Sequence, residues 1–358
     1  MEEKIARIAA GIMGFMALVI ASALFYFPEL HIWAEETAEE QRRLRAQREA
    51  SMTGLEMLQY NTANAREEDA DFAQQLRVGL PDQVTAEEVV IENDYLTQTV
   101  TIHIPQAKED YLYDYPMVGG SSHIDDLIYD IEPEEGIIEI ALDSVYEVER
   151  TADEHYLYLD FRTPQELYDK VVVIDAGHGG SQPGAIKQGV YEKDIDLAIV
   201  LELKKLFEES GQEDIGVYYT RTDDSNPSLA QRADLANKAG ADLFVSVHNN
   251  STTSGRMSSI SGTTVLYDEA KADQEKGSMQ FAQICLEEML TELGTNDKGL
   301  TPGNDIYIIR TAEMPVALIE VGFMTNQEEL NNLNDPEYQK RAAQGIYNAI
   351  CRAWEEGY

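Results

Sequence analysis

The sequence predicts an α/β fold: a mostly parallel six-stranded sheet flanked by helices, preceded by a small all-β domain and an N-terminal transmembrane helix. Three observations carry this expectation. The last half of the chain alternates short aliphatic runs with helix-period segments, the pattern of repeated βα units. Residues 84–162 hold β-branched and aromatic runs separated by acidic and Gly/Pro-containing turns. Residues 8–27 carry no charge and are almost wholly apolar, about the length a helix needs to cross a bilayer.

Taken in order, Lys4 and Arg7 ahead of the 8–27 segment favour a cytoplasmic amino terminus. Glu2, Glu3, Arg42, Arg43 and Arg45 weaken that asymmetry. Ala21-Ser22-Ala23 fits a small-residue cleavage site, so a cleaved signal peptide is the alternative to an anchor. Either reading exports the rest of the chain. Residues 34–66 are rich in Glu, Arg, Gln and Ala, with high helix propensity and no sustained apolar heptad, as in a charged, partly helical stalk. Runs at 89–91, 99–104, 136–142 and 156–161 suggest a small antiparallel sandwich. His103, His123 and His155 lie there without a shared ligand spacing and read as surface or structural residues. From residue 168 onward, strands are expected at 171–174, 215–220, 243–247, 263–267, 306–309 and 316–321. Helices are expected at 195–207, 228–238, 278–292 and 336–354. The divisions that result are 1–33 anchor or signal, 34–80 stalk or linker, 81–165 β-rich domain and 166–358 α/β domain.

With 358 residues and 43% hydrophobic content, the chain can bury a sizeable core in about two domains. A net charge of −39 would repel a phosphate backbone, so nucleic acid is not an expected partner. Cys285 and Cys351, the two cysteines, fall in apolar helical patterns where cysteine acts as a small hydrophobe. An exported protein could join them, and no CxxC-type spacing marks them as metal ligands.

Four residues concentrate the chemistry. His178, His248 and Glu320 each stand where an aliphatic run ends, and Glu192 lies just downstream of His178. In open α/β sheets functional groups gather at the carboxyl ends of the strands. Two imidazoles, a ligating carboxylate and a spare carboxylate are the components of a zinc hydrolase. His178, Glu192 and His248 would hold Zn2+ and leave a position for water, whose pKa the metal lowers towards about 7. Glu320 would then take the proton and deliver it to the leaving nitrogen. Its neighbours Leu318, Ile319, Val321 and Phe323 make an ionisable side chain costly to bury without a partner. Taken alone, Glu192 also reads as an acid favoured at a helix N-terminus. Asn249 could orient substrate, and a turn-forming role suits it equally.

These residues and their surroundings resemble the zinc-dependent N-acetylmuramoyl-L-alanine amidases of bacterial cell-wall turnover. The resemblance covers about residues 171–353. It runs through Val171-Val172-Val173-Ile174-Asp175-Ala176-Gly177-His178-Gly179-Gly180, Tyr191-Glu192-Lys193-Asp194, Ser246-Val247-His248-Asn249-Asn250 and Ile319-Glu320-Val321-Gly322-Phe323. It implies zinc at His178, Glu192 and His248, a catalytic Glu320, and hydrolysis of the amide joining the lactyl group of N-acetylmuramic acid to L-alanine in peptidoglycan. Arg232 and Asn237 match the family pattern as well and read as packing or loop-tethering residues. Asn249-Asn250 stands where an alanine before the asparagine is commoner. Residues 251–304 leave room for about a strand and a helix, less than in members held inactive by a blocking helix, which implies an open enzyme. The β-rich segment resembles, more faintly, the wall-binding sandwich domains of some relatives. The alternatives are an extracellular zinc peptidase acting on stem peptides and a non-catalytic wall-binding regulator. Expected partners are peptidoglycan and, through the N-terminal helix, the cytoplasmic membrane; an activator protein is left open. The expected location is the bacterial cell membrane with the α/β domain outside, or the cell wall if the signal is cleaved.

Overall fold

The computed structural model describes Glu40 and residues 52–66, 72–108, 111–120, 122–272 and 274–358. Among these no helix is long and apolar enough to cross a membrane, and the expected span at residues 8–27 lies outside the described residues.

Helix α1, Gly54–Asn64, begins at a capping box in which Thr53 accepts the Glu56 amide and Glu56 accepts the Thr53 amide. Strands β1 Leu76–Gly79, β2 Val90–Asp94, β3 Thr99–Pro105, β4 Val118–Gly119, β5 Ile124–Ile131, β6 Glu135–Leu142, β7 Glu147–Ala152 and β8 Tyr156–Arg162 follow. They form two antiparallel sheets in the orders β4-β1-β8-β7 and β2-β3-β6-β5. Alternate residues of β3, β6 and β8 point inward, and Val100, Ile102, Ile138, Ile140, Leu157 and Leu159 meet in one apolar core. This period-2 burial is what the β-branched runs encode. Leu76 and Val78 of β1 and Leu58 of α1 belong to the same core, so the sandwich draws on residues ahead of position 81.

The short helices α2 Tyr111–Asp114 and α3 Pro164–Leu167 lie within and just after this unit. The C-terminal part then runs β9 Lys170–Ala176, β10 Ile186–Lys187, β11 Val190–Tyr191, α4 Glu192–Ser210, β12 Ile215–Tyr219, α5 Leu229–Lys238 and β13 Leu243–Asn250. It continues with β14 Thr263–Tyr267, α6 Ser278–Leu293, β15 Asp297–Pro302, α7 Tyr307–Thr311, β16 Val316–Phe323, α8 Gln327–Leu333 and α9 Pro336–Glu355. Six strands form a mixed sheet in the order β12-β9-β13-β16-β14-β15. β12, β9, β13 and β16 are mutually parallel, and β14 reverses direction against β16. Odd and even residues of the central strands enter different cores. Val172, Ile174, Val245 and Val247 pack with α4, α6 and α9, whereas Val171, Val173, Phe244 and Leu318 pack with α5 and α7. Burial on both faces explains why these strands read as continuous aliphatic runs.

The expected strand at 306–309 is a correction. That stretch leads into the helix α7, whose Ile308 and Ile309 are buried, and the sixth strand is β15. β15 is a mostly exposed edge strand without an aliphatic run. Cys285 and Cys351 are both free thiols.

A carboxylate is central to the junction between the sandwich and the sheet. Glu147 of β7 accepts the hydroxyls of Tyr95 at 2.6 Å and of Tyr218, on β12, at 2.7 Å. The two rings meet edge to face, 5.0 Å between centroids. Nearby Val145 is buried among Val171, Val173 and Tyr218 of the α/β core.

Candidate active site

From β9 the chain winds outward through α4 to β12, then returns through α5 to β13 on the other side of β9. The winding direction therefore reverses between β9 and β13, and a crevice opens at their carboxyl ends. His178 follows the end of β9, and His248 lies near the end of β13. On β16 Glu320 stands in register beside His248, and Glu192 is the first residue of α4. Topology thus brings all four predicted residues to one cleft of about 1040 Å³.

Glu192 is the hub. Its Oε1 lies 3.0 Å from His178 Nε2 and 3.2 Å from His248 Nδ1, and the two rings are 4.8 Å apart and nearly perpendicular. The amides of Ala185 (2.7 Å) and Asn249 (3.1 Å) donate to the same carboxylate. Burial pushes the Glu192 carboxyl up, but the hydrogen bonds and charges of the two imidazoles outweigh it and hold it well below the usual range. Burial likewise pulls His248 down, and Glu192 more than restores it, leaving its pKa raised.

Glu320 differs. Its Oε2 is buried with no hydrogen-bond partner. Burial, reinforced by Glu192 and opposed by His248, pushes its carboxyl up to about 7. It lies beside His248 on the neighbouring strand, with one carboxyl oxygen left without a hydrogen bond.

The loop that presents His178 is fixed from below by two buried arginines. Arg232 pairs with fully buried Asp175 at 2.5 Å and donates to the carbonyls of Ala176, His178 and Pro227. Arg221 donates to the carbonyls of Ala176 (2.9 Å) and Gly177 (2.6 Å) and to that of Lys193 (2.9 Å). Asp175 also accepts from Thr220 and Ser246, both at 2.6 Å. This clamp holds His178 in the left-handed region at φ 57°, an uncommon conformation for a residue with a side chain. A glycine is required at 177 by close approach, because a Cβ there would lie 2.4 Å from His248 Cε1. At the far end of the cleft floor, Glu329 accepts the amides of Gly262 (2.8 Å) and Phe323 (2.7 Å) and fixes the backbone just beyond Glu320.

Arg232, expected to pack or tether, tethers. Asn237 joins α5 to α7, donating to the Thr311 carbonyl and accepting the Glu313 amide. Asn249, expected against substrate, is buried, and its Nδ2 donates to Asp196 Oδ1 at 2.7 Å. His103, His123 and His155 lie in the sandwich, where His103 meets Glu135 and His123 meets Tyr146. Nothing in the sequence marks Arg221, Asp196 or Glu329, whereas Asp175 carries a signal, a lone acid ending an aliphatic strand.

The donor set fits zinc. Two imidazole nitrogens and a carboxylate oxygen converge without a bridging cationic side chain, which is the N2O set zinc accepts. Asp196 falls in the same cluster, all of whose ligand atoms lie within 4.8 Å of one another. It is fully buried, however, and burial together with the Glu192 charge raises its pKa well above that of an ordinary carboxyl. His178, Glu192 and His248 are therefore the better ligands.

Fold and site define an α/β protein with a cluster at the carboxyl ends of its strands that could hold a metal ion. The sequence profile described as N-acetylmuramoyl-L-alanine amidase matches residues 172–352. The chain belongs to that family. The uncharacterized protein YqiI of Bacillus subtilis (strain 168) is 37% identical over 193 residues, covering 54% of this chain and 88% of that protein. The germination-specific N-acetylmuramoyl-L-alanine amidase of the same organism is 30% identical over 204 residues, covering 53% and 82%. Among solved structures, the catalytic domain of CwlV, an N-acetylmuramoyl-L-alanine amidase from Bacillus (Paenibacillus) polymyxa var. colistinus, shares 35% identity and covers 52% of this chain and 98% of its own, with a TM-score of 0.47.

Proposed function

We propose that this protein hydrolyses the amide between N-acetylmuramic acid and L-alanine in peptidoglycan, with zinc held by His178, Glu192 and His248 and with Glu320 as general base and then acid. The observation that carries the reading is Glu320, which lines the cleft beside the His178–Glu192–His248 cluster with one carboxyl oxygen buried and without a hydrogen bond. Zinc bound there supplies Lewis acidity towards the scissile carbonyl and acidifies water at neutral pH. The chain's own residues do the rest. Asp175, Arg232 and Arg221 keep His178 aimed into the cleft, the two imidazoles keep the Glu192 carboxylate ionised, and the Asn249 and Ala185 amides hold it in place. Glu320, with a pKa pushed up to about 7, is matched to accept a proton from the attacking water and pass it to the leaving nitrogen. We further propose that the enzyme works outside the cytoplasmic membrane, anchored or exported by residues 8–27, with the sandwich holding it against the wall. The span from 251 to 304 carries β14, α6 and β15, and we read the cleft as open without a blocking helix.

The test is mass spectrometry of purified peptidoglycan digested with the zinc-loaded full chain, beside a Glu320→Ala control. Stem peptides with a free L-alanine amino terminus, absent from the control, are expected. Cuts within the stem peptide would instead make the protein a zinc peptidase. No product from folded, zinc-loaded protein would favour a binding role.

A further inference from the structure

The cleft wall formed by the β10–β11 hairpin and the loop after β13 carries an unusual charge. Acidic residues outnumber Lys and Arg by 66 to 27 in this chain, and most described cations are tied to a carboxylate or a carbonyl. Lys187 and Arg256 have no hydrogen bond or ion pair from their side chains, and their segments approach each other: a Cβ on Gly255, next to Arg256, would lie 3.7 Å from Lys187 Nζ. Both segments are pinned to one turn. Gln188 donates to Gln327 at 2.6 Å, the Ser258 amide donates to the Thr325 carbonyl at 2.8 Å, and the Thr252 amide donates to Thr325 Oγ1 at 3.2 Å. Lys187 follows closely on Gly184 and Ala185, and Arg256 directly follows Ser254 and Gly255, all four of which line the catalytic cleft. The same rim exposes Ile186 and Met257, 46% and 44% accessible.

Two cations on neighbouring segments, neither with a hydrogen bond or ion pair from its side chain, leave positive charge uncompensated at this rim, in a protein with acids to spare. An anionic group at this rim would meet both cations, where the chain's net charge elsewhere is negative. Guanidinium and ammonium groups recognise carboxylates through charge-assisted hydrogen bonds, and the apolar rim suits the aliphatic part of a peptide. We propose that Lys187 and Arg256 form the subsite for a carboxylate of the stem peptide, so that the enzyme favours stems bearing a free α-carboxylate on the second residue over stems in which it is amidated. This deepens the amidase reading and rests on it for the identity of the ligand.

The test measures binding, so that it stands apart from turnover. The zinc-loaded full chain carrying Glu320→Gln is titrated calorimetrically with N-acetylmuramoyl-L-alanyl-D-glutamate and with the corresponding D-isoglutamine compound. The acid is expected to bind about five-fold more tightly than the amide, the scale of a partly exposed ion pair. That advantage should shrink with added salt and vanish in Lys187→Gln/Arg256→Gln, while amide binding stays as it was. Both substitutions remove surface groups without hydrogen bonds, so folding is not at stake. Equal affinity for the two compounds, a preference that survives the double substitution, or no binding of either would overturn the proposal. So would tighter binding of a polyol-phosphate polymer than of either peptide, which would assign the cations to a wall polyanion. Failure of the wild-type chain to release stem peptides would refute the amidase reading separately, whatever the titration gives.

Discussion

Replacing Arg232 by methionine isolates the clamp beneath His178. Asp175 and Arg232 are both buried, 0% and 2% exposed, and removing the cation leaves a carboxylate on the Val171 and Val173 face of β9 with only two hydroxyl partners, Thr220 and Ser246. Breaking a buried pair in this way costs about 3–5 kcal/mol, and the carbonyls of Ala176, His178 and Pro227 lose a donor as well. In the native protein burial raises Asp175, but Arg232 first, then His248, Ser246 and Thr220, bring it below its ordinary pKa. A depressed carboxylate stabilises the fold above its unfolded pKa and loses that contribution as pH falls through the folded value. In Arg232→Met the sign reverses. Unopposed burial lifts Asp175, the folded state binds the extra proton, and stability declines as pH rises above about 4. Urea unfolding of the zinc-free full chain at about pH 5 and about pH 7.5 should therefore show a deficit that grows with pH, reaching about 3–5 kcal/mol at the higher value. Zinc affinity should fall in parallel, because His178 loses its tether. A deficit under about 1 kcal/mol, the scale of an exposed pair, or one that does not change with pH, would refute the argument.

Other expectations follow from single contacts. Glu320→Gln should lower kcat by about 10²–10⁴-fold, the usual range for a lost general base, with zinc content by atomic absorption unchanged; loss of zinc would make Glu320 a ligand instead. The kcat/KM profile should fall as pH drops through the Glu320 pKa, about 7 without metal and lower with zinc bound, since a cation favours the ionised carboxylate; a flat acid limb would exclude Glu320 as the base. Gly177→Ala should displace the His248 ring, 2.4 Å from the new Cβ, and weaken zinc binding while leaving the sheet's circular dichroism intact. His248→Ala should lose zinc and activity together, measurable by competition with a chromophoric chelator.

The central strands and the four-residue cluster were legible because one physical cause produced both signals. Strands buried on two faces must be aliphatic throughout, so a histidine or glutamate at the end of such a run stands out. Edge elements lack that constraint. β15 is exposed and polar, and nothing in Asp297–Pro302 announces a strand, while the aliphatic Ile306, Ile308 and Ile309 announced a strand where a helix folds. Arg221 was invisible for another reason. Its partners are all main-chain carbonyls, three of them 28 to 45 residues away, and a carbonyl leaves no mark on sequence. Asp196 reads as one of many acids on α4 until Asn249 is seen beside it. The sandwich residues ahead of position 81 leave a weak signal, because β1 has four residues and α1 shows only Leu58 and Asn61 to the interior.

Glu147 sets the terms on which the protein can be dissected. A fragment starting at residue 165 would keep every catalytic side chain. It would leave the Tyr218 hydroxyl without its acceptor, empty the socket that Val145 fills, and strip a neighbour from β12, an outermost strand with an open row of main-chain donors and acceptors. Uncovered strand edges invite pairing between copies. A recombinant catalytic half should therefore tend to self-associate, and a soluble, monodisperse preparation calls for a start before residue 52, so that the whole sandwich travels with the hydrolase.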